Sequence, residues 1–391
     1  MLSKKVKLSL DYKQKMVLET LSNEHRLLYN YLLEKVKDNL DFKQINENYK
    51  TFRLSNSLTI NSKSAQNTSI GLINNIKSYL SLKKKDKTAR FPSRFKSYKY
   101  FTSFMLDYNN GCGGFAIHNN TLSLNLNSVK NKIIFDLPEY VSDINNTNIK
   151  TITFKREGRN YYLIFVYQEQ SKKQNLNPDN FLSIDLGYSS LVTACSKHEN
   201  FKISNMKQKK LNQNINILNS IRDEHKRNSR RYKKINNTLK RKKRTLSDKQ
   251  KDFQHKASKK IVDFCVSNDI GTIYLGDMKV KSIVKKENKK INGLSKSTSS
   301  IGRFKMFLDY KAKNVGLDMK LVDERDTSKT NSLTEKIEFD SSLKNRSFEF
   351  EGLIIDRDVN STVNFLIKSG LCLSQDSKLN LLLNPMSELI V

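Results

Sequence analysis

The chain has 391 residues, with 71 Lys and Arg against 39 Asp and Glu, and a formal net charge of +32. So large a charge repels itself in a compact fold and calls for a polyanionic partner. No run approaches the ~20 apolar residues of a membrane span, so no membrane partner is expected, and the start, MLSKKVKLSLDYKQ, lacks the apolar centre of a signal peptide. Cys112, Cys195, Cys265 and Cys372 form no CxxC pair and the histidines are scattered, which argues against a disulfide framework or a zinc site and suits a reducing cytosol.

In chain order, residues 3–10 (KKVKLSLD) alternate apolar and polar as a half-exposed strand does. From Tyr12 to Leu82 the spacing turns helical: MVLETLSNEHRLLYNYLLEKV repeats every three to four residues, Asn- and Ser-rich joints follow, and SIGLINNIKSYL forms a second helix. The basic stretch KKKDKTARFPSRFKSYKY ends this section, with Pro92 as a breaker. From Phe101 to Gln168 the period is two, in FAIHNNTLSLNLN, NKIIFDLP and IKTITFKREGRNYYLIFVYQEQ, with turn residues between the strands. A strand, a helical insert and more strands predict a β-barrel interrupted by a small helical subdomain.

SKKQNLNPDN, about 171–180, reads as a linker. FLSIDLGYSSLVTACS and then KISN follow, with Asp185 at a strand terminus, and residues 207–268 read as two long basic helices joined near Asn228–Asn236. Next come the buried strand TIYLGDMKV, a loop at KKENKKINGLSKST, a helix at FKMFLDYKAKNVG, the strand MKLVDERD and a last helix beginning near Asp358. The tail, 371–391, is weakly patterned and receives no assignment. Strands alternating with helices predict a mixed sheet covered by helices. The expected fold class is thus α/β plus β-barrel, in two lobes.

Three acidic motifs could do chemistry. Asp185 ends the apolar run FLSI and is followed by Leu186 and Gly187; alone, it reads first as a turn or capping residue. IDRDVNSTVNF places Asp356 and Asp358 before a helical pattern, where Asp caps well. A metal-binding role suits Asp358 better, with Asn360 beside it to orient it or a phosphate. KLVDERDT crowds Asp323, Glu324 and Asp326 at a strand end, where a divalent metal or Arg325 would neutralise them, unless it is an exposed acidic turn. Cations cluster in two places with a nucleic-acid reading: Lys83, Lys84, Lys85, Arg90 and Arg94, then Arg230, Arg231, Lys233, Arg241, Lys242 and Arg244. Tyr98, Tyr100, Phe101 and Phe104 interleave with the first, either as stacking platforms or as barrel core.

The order IDLG, DFQHKASKKIVDF, IYLGDM, LVDERDTSKT and DRDVNSTVNFL resembles the nuclease half of the TnpB family, relatives of type V CRISPR effectors. ARFPSRFKSYKYFTSF with FAIHNNTLSLNLN is similar to that family's wedge stretch, and the resemblance covers about residues 1–370. It implies a wedge-type barrel over 1–175 with a recognition insert at about 12–90, and a RuvC-like, RNase H-fold nuclease domain over 176–370. The implied activity is RNA-guided DNA endonuclease, with Asp185, Glu324 and Asp358 as catalytic ligands of two Mg²⁺ ions. The family often carries a Glu where this chain has Gly276; one branch shares the Gly-Asp pair and places Glu in a V-x-E-R segment, which selects Glu324, with Asp277 as the alternative acid. Asn331, Thr334, Phe348 and Glu351 stand about where the family's zinc ribbon (328–355 here) has cysteines, so no zinc is expected. Implied partners are a guide RNA and double-stranded target DNA with a short flanking motif, in a bacterial cytoplasm at the nucleoid. The rival expectations are a nuclease-impaired, repressor-like RNA-guided binder and an accessory transposon protein or transposase.

Overall fold

The computed structural model describes residues 2–38, 40–108, 114–126, 132–141, 149–168, 173–187, 190–206, 209–277, 301–339 and 346–391. The loop expected at KKENKKINGLSKST and the end of TIYLGDMKV lie outside them. The chain divides into two compact units, Met1–Gln170 and Ser171–Val391. No helix among the described residues is long and apolar enough to cross a membrane.

The first unit holds strands β1 (Leu2–Leu8), β2 (Phe104–Asp107), β3 (Phe115–His118), β4 (Thr121–Leu124), β5 (Ile133–Asp136), β6 (Ile149–Glu157) and β7 (Asn160–Tyr167). They pair as a four-stranded sheet in the order β1-β7-β6-β2 and a three-stranded sheet β3-β4-β5. The β3–β4 hairpin turns on Asn119 and Asn120, at φ 42° and 59°, the left-handed values a tight hairpin needs and Asn tolerates. Both sheets bury their alternate residues in one core, where the Phe135 and Phe154 rings lie 5.7 Å apart. Among the described residues no ladder joins the two sheets that stand where the barrel was expected.

Between β1 and β2 run three helices, α1 (Tyr12–Asp38), α2 (Phe42–Ser55) and α3 (Ser62–Lys85). The sequence reading assigned α2 to polar joints. It forms because Asp41 caps it, accepting from the Lys43 and Gln44 amides, and because Phe42, Ile45, Tyr49 and Phe52 line one face against the core.

The second unit is a six-stranded mixed sheet in the order β12-β11-β8-β9-β10-β15. Its strands are β8 (Asn177–Asp185), β9 (Ser190–Ser196), β10 (Asn200–Ser204), β11 (Ile270–Gly276), β12 (Asp318–Val322) and β15 (Met386–Glu388); β13 (Ser347–Phe350) and β14 (Leu353–Asp356) form a separate hairpin. β8, β9 and β10 run antiparallel, while β8, β11 and β12 run parallel. Helices α4 (Lys209–Asp223), α5 (Arg230–Ser267), α6 (Ile301–Val315), α7 (Arg357–Lys368) and α8 (Gln375–Leu383) complete the unit. The turn between α4 and α5 centres on Asn228, at φ 70°, and Ser229 caps α5; Asn236, expected in that joint, is helical. Leu211, Ile215 and Leu218 of α4 meet Ile235, Leu239 and Leu246 of α5, so the two helices bury an apolar seam. The tail without an assignment supplies α8 and β15. Buried Asn200 holds it, donating from Nδ2 to the Leu381 and Asn384 carbonyls at 2.7 and 3.3 Å.

Candidate active site and nucleic-acid surfaces

Parallel strands end at one edge of their sheet, and side chains just past those ends converge there. Asp185 is the last residue of β8, opposite Thr193 of β9. Asp277 follows the end of β11, and Glu324 lies two residues beyond the end of β12. Asp358 joins them from the first turn of α7, which the Ser183 hydroxyl ties to β8 by donating to the Thr362 carbonyl at 2.7 Å.

The electrostatics sort these acids. Burial, then Glu324, then Asp358 push the Asp185 carboxyl up to about 8, opposed by the Leu186 amide and Arg357. Asp185 therefore shares a negative site with Glu324 and Asp358. Asp277 plays no part in that shift and turns to Lys305, at 3.1 Å. Gly276 explains how Glu324 enters: a Cβ built on Gly276 would stand 2.4 Å from the Glu324 Oε1 and 2.9 Å from the Phe365 ring. The carboxylate lies where any larger residue would put its side chain. The sequence exposes the Gly-Asp pairing, but only the strand register reveals why the glycine matters.

A loop and a helix hold this geometry as one piece. The Thr327 hydroxyl donates to the Glu324 carbonyl at 2.9 Å. Asn360 of α7 accepts from the Ser332 amide at 2.9 Å and donates to the Thr330 carbonyl at 2.8 Å. Asn364, one turn on, donates to the Thr327 and Thr330 carbonyls at 2.8 and 2.7 Å. This corrects the expectation for Asn360. Its amide is fully buried and occupied by backbone, so it positions the loop after Glu324 and does not orient a carboxylate or phosphate.

Asp356 and Asp358 divide the two roles available to the IDRD motif. Asp356 caps α7, accepting from the Asp358 and Val359 amides at 2.9 and 3.2 Å, and takes Lys202 at 2.6 Å on its other oxygen. Asp358 is left to face the site, and two arginines approach it: Arg346 at 3.4 Å and Arg357 at 3.7 Å. Neither arginine was anticipated; Arg357 lies inside the motif, while nothing local marks Arg346. In the VDERDT turn, Arg325 and Lys329 approach Asp326, at 3.7 and 3.6 Å. Among the described residues, no three His, Cys, Asp or Glu side chains form a ready-made metal cage.

The four positions where the sequence reading missed cysteines carry other bonds. Asn331 and Thr334 both donate to Glu338, at 2.8 and 2.7 Å, and hold its carboxyl below the usual carboxylate range. Phe348 stacks on Phe339 with centroids 3.6 Å apart, and Glu351 sits in the β13–β14 turn at φ 49°. This donor set holds no thiolate and does not fit a tetrahedral zinc site.

Of the basic residues, Lys83, Lys84 and Lys85 are exposed at the C-terminus of α3, where the helix dipole favours cations, and Arg90 and Arg94 are exposed beyond it. Arg230, Arg231, Lys233 and Arg241 are exposed on α5; Lys242 and Arg244 are half-buried, and Arg244 lies 3.7 Å from Asp248. The aromatic residues beside the first cluster divide. Phe104 is core, stacked on His25 and Phe154, and Phe101 packs against that core, whereas Tyr98 and Tyr100 are exposed.

Residues 164–282 match the family described as "Probable transposase", and residues 302–365 match the "Cas12f1-like, TNB domain". Two TnpB-like proteins of Acanthamoeba polyphaga mimivirus are each 30% identical over 240 residues, 57% of this chain and 44% of theirs. A third from the same virus is equally similar, over 43% of its length, so the match spans less than half of each relative. Among solved structures, the Cas12f1 chain of a Cas12f1–sgRNA–target DNA complex shares the fold, with a TM-score of 0.60 and 15% identity over 91% of this chain and 83% of that one. Two matched regions, three viral relatives and a shared fold make this chain similar to TnpB-like proteins and to Cas12f1.

Proposed function

We propose that the chain is an RNA-guided DNA endonuclease of the TnpB type, with Asp185, Glu324 and Asp358 as its catalytic carboxylates. One observation carries this reading: Asp185 ends the central strand in a negative field made by Glu324 and Asp358. The sheet order β10-β9-β8-β11-β12, three antiparallel strands followed by two parallel ones, supports an RNase H-like domain. Carboxylates without sulfur or imidazole suit Mg²⁺; burial first, then the charges of Glu324 and Asp358, push Asp185 up to about 8, and a cation beside the three would offset both costs. A pair of Mg²⁺ ions held there would activate a water and stabilise the departing oxygen of a phosphodiester.

The chain's own residues do the positioning. Ser183 holds α7 to β8, Asp356 caps α7 and leaves Asp358 facing the site, and Asn360 and Asn364 fix the loop that presents Glu324. Arg346 and Arg357 lie against Asp358, where they would share its charge with a bound cation. The exposed cations of α3 and α5 bind phosphates, while base pairing with the guide supplies sequence choice.

The test uses the full chain purified with the RNA it retains, a DNA target matching that RNA, and Mg²⁺. Cleavage is expected from the wild type and from Asp277→Asn. Glu324→Gln should bind the target without cutting it; cleavage by that variant at the wild-type rate sinks the assignment. A second reading, guided binding without cleavage, is favoured by the two arginines on Asp358. It predicts RNA and target binding with no Mg²⁺-dependent product.

A further inference from the structure

The segment following α3 has no regular secondary structure, yet two pins hold it to α1. Asn30 grips the backbone at Lys96, donating to its carbonyl at 2.9 Å and accepting from its amide at 2.8 Å. Six residues on, the Thr102 amide donates to the Ser22 hydroxyl at 2.7 Å. Lys96 lies over the Tyr29 ring at 3.9 Å, and Phe101 packs into the core. Between the pins the chain makes a tight turn: the Tyr100 amide donates to the Ser97 carbonyl at 3.2 Å, and the Lys99 amide to the Ser97 hydroxyl at 3.3 Å.

That turn holds its aromatic rings out of the core. Tyr98 is 76% exposed and Tyr100 73%, and Phe95 beside them is 46% exposed with Lys37 4.0 Å over its ring. Lys99 lies 5.9 Å from the Tyr98 ring, and Arg94 is exposed at the start of the segment. A cleft of about 630 Å³ opens here, lined by Arg94, Phe95, Lys96, Tyr100 and Phe101 among others. Core packing accounts for Phe101 and Phe104 but not for the two tyrosines. Flat rings on a pinned backbone lose little freedom when another ring stacks on them, and the adjacent cations attract phosphate.

We propose that the Ser97–Tyr100 turn is a base-stacking finger: Tyr98 and Tyr100 receive the faces of unpaired nucleotides of an RNA, while Arg94 and Lys99 bind its phosphates. This deepens the nucleic-acid reading above and rests on it. A duplex hides the faces of its bases, whereas RNA exposes them in loops and ends, so the occupant is an unpaired RNA segment.

The test is fluorescence anisotropy with the full chain, freed of retained nucleic acid by a high-salt wash. The probes are a short oligouridylate, the same oligomer with abasic sites, the matching oligodeoxythymidylate, and an RNA duplex. Tyr98→Ala/Tyr100→Ala should weaken oligouridylate binding by about ten-fold or more. Its log–log salt slope should stay unchanged, because every cation that faces a phosphate is still in place. The abasic oligomer and the duplex should not distinguish it from wild type, and Tyr98→Phe/Tyr100→Phe, which keeps both rings, should bind as wild type does. Equal oligouridylate affinity for the alanine pair and the wild type overturns the proposal, as does an equal loss on the abasic oligomer or a loss confined to oligodeoxythymidylate. Circular dichroism checks folding; should the pair misfold, each single alanine variant is expected to lose about three-fold or more on the same probe, and unchanged singles refute the finger. If the nucleic-acid reading itself is wrong, the wild type binds none of the four probes, an outcome distinct from failure of the finger alone.

Discussion

Gly276→Ala tests the site at its tightest approach. The new Cβ would lie 2.4 Å from the Glu324 Oε1, where ordinary van der Waals separation begins at 3.4 Å, so the carboxylate must retreat by 1 Å. The far end of a glutamate can move that far cheaply. The Phe365 ring, 2.9 Å away and fully buried, cannot, so overpacking costs about 1 kcal/mol, partly offset because Ala suits a strand better than Gly. The effect on activity is much larger than on stability, since misplacing a catalytic group by 1 Å can cost about 10²-fold. Chemical denaturation should thus register a shift near the limit of detection, while guided cleavage with Mg²⁺ falls about a hundred-fold. In Gly276→Ala/Glu324→Ala the Phe365 contact remains, so the small stability cost should persist, while cleavage should fall no further than in Glu324→Ala alone, and that non-additivity measures the coupling. Cleavage by Gly276→Ala within about three-fold of wild type, against that hundred-fold expectation, would refute the placement of Glu324 and return attention to Asp277.

Other outcomes follow from the same geometry. Asp185 has a folded-state carboxyl raised from 3.8 to about 8, so its ionisation opposes folding as pH rises through that window. Without divalent ions, Asp185→Asn should match wild type near pH 3 and exceed it by up to about 4 kcal/mol at pH 7, and added Mg²⁺ should raise the melting temperature of wild type only. Asn360→Ala strands the buried Ser332 amide, while the Thr330 carbonyl keeps Asn364; a loss of about 1–3 kcal/mol is expected by denaturation, with cleavage reduced and RNA binding kept. Arg231→Ala/Arg241→Ala on α5 should weaken nucleic-acid binding regardless of sequence and reduce the salt slope by about 0.7–0.9 for each phosphate left unneutralised, whereas an unchanged slope would make these side chains solvated surface.

Much of this architecture is readable from local pattern, and the misreadings have physical causes. The β3–β4 hairpin is written in Asn119-Asn120 between alternating apolar residues, because turn geometry depends on neighbours in the chain. The helix α2 escaped notice because its composition is polar and its apolar face, Phe42 to Phe52, is sparse; Asp41 was the available signal. The tail escaped because α8 and β15 draw their order from Asn200 and the free edge of β10, which are distant in sequence.

By itself the sequence determined the charge, the order of strands and helices, and the acids near strand ends, since each depends on residue type and short-range spacing. By residue type and spacing alone it could not choose among those acids; only the resemblance to the TnpB family pointed to Glu324. Glu324 and Asp277 both follow strands, and their difference lies in the parallel register that sets Gly276 against Val322 and clears space for one carboxylate while Lys305 takes the other. Nor could it divide Tyr98 and Tyr100 from Phe101 and Phe104. Four aromatic residues in one basic segment read alike until Asn30 and Ser22 pin the backbone and decide which rings face the core. Contacts between residues far apart in the chain decide both, and such contacts exist only once the chain has folded.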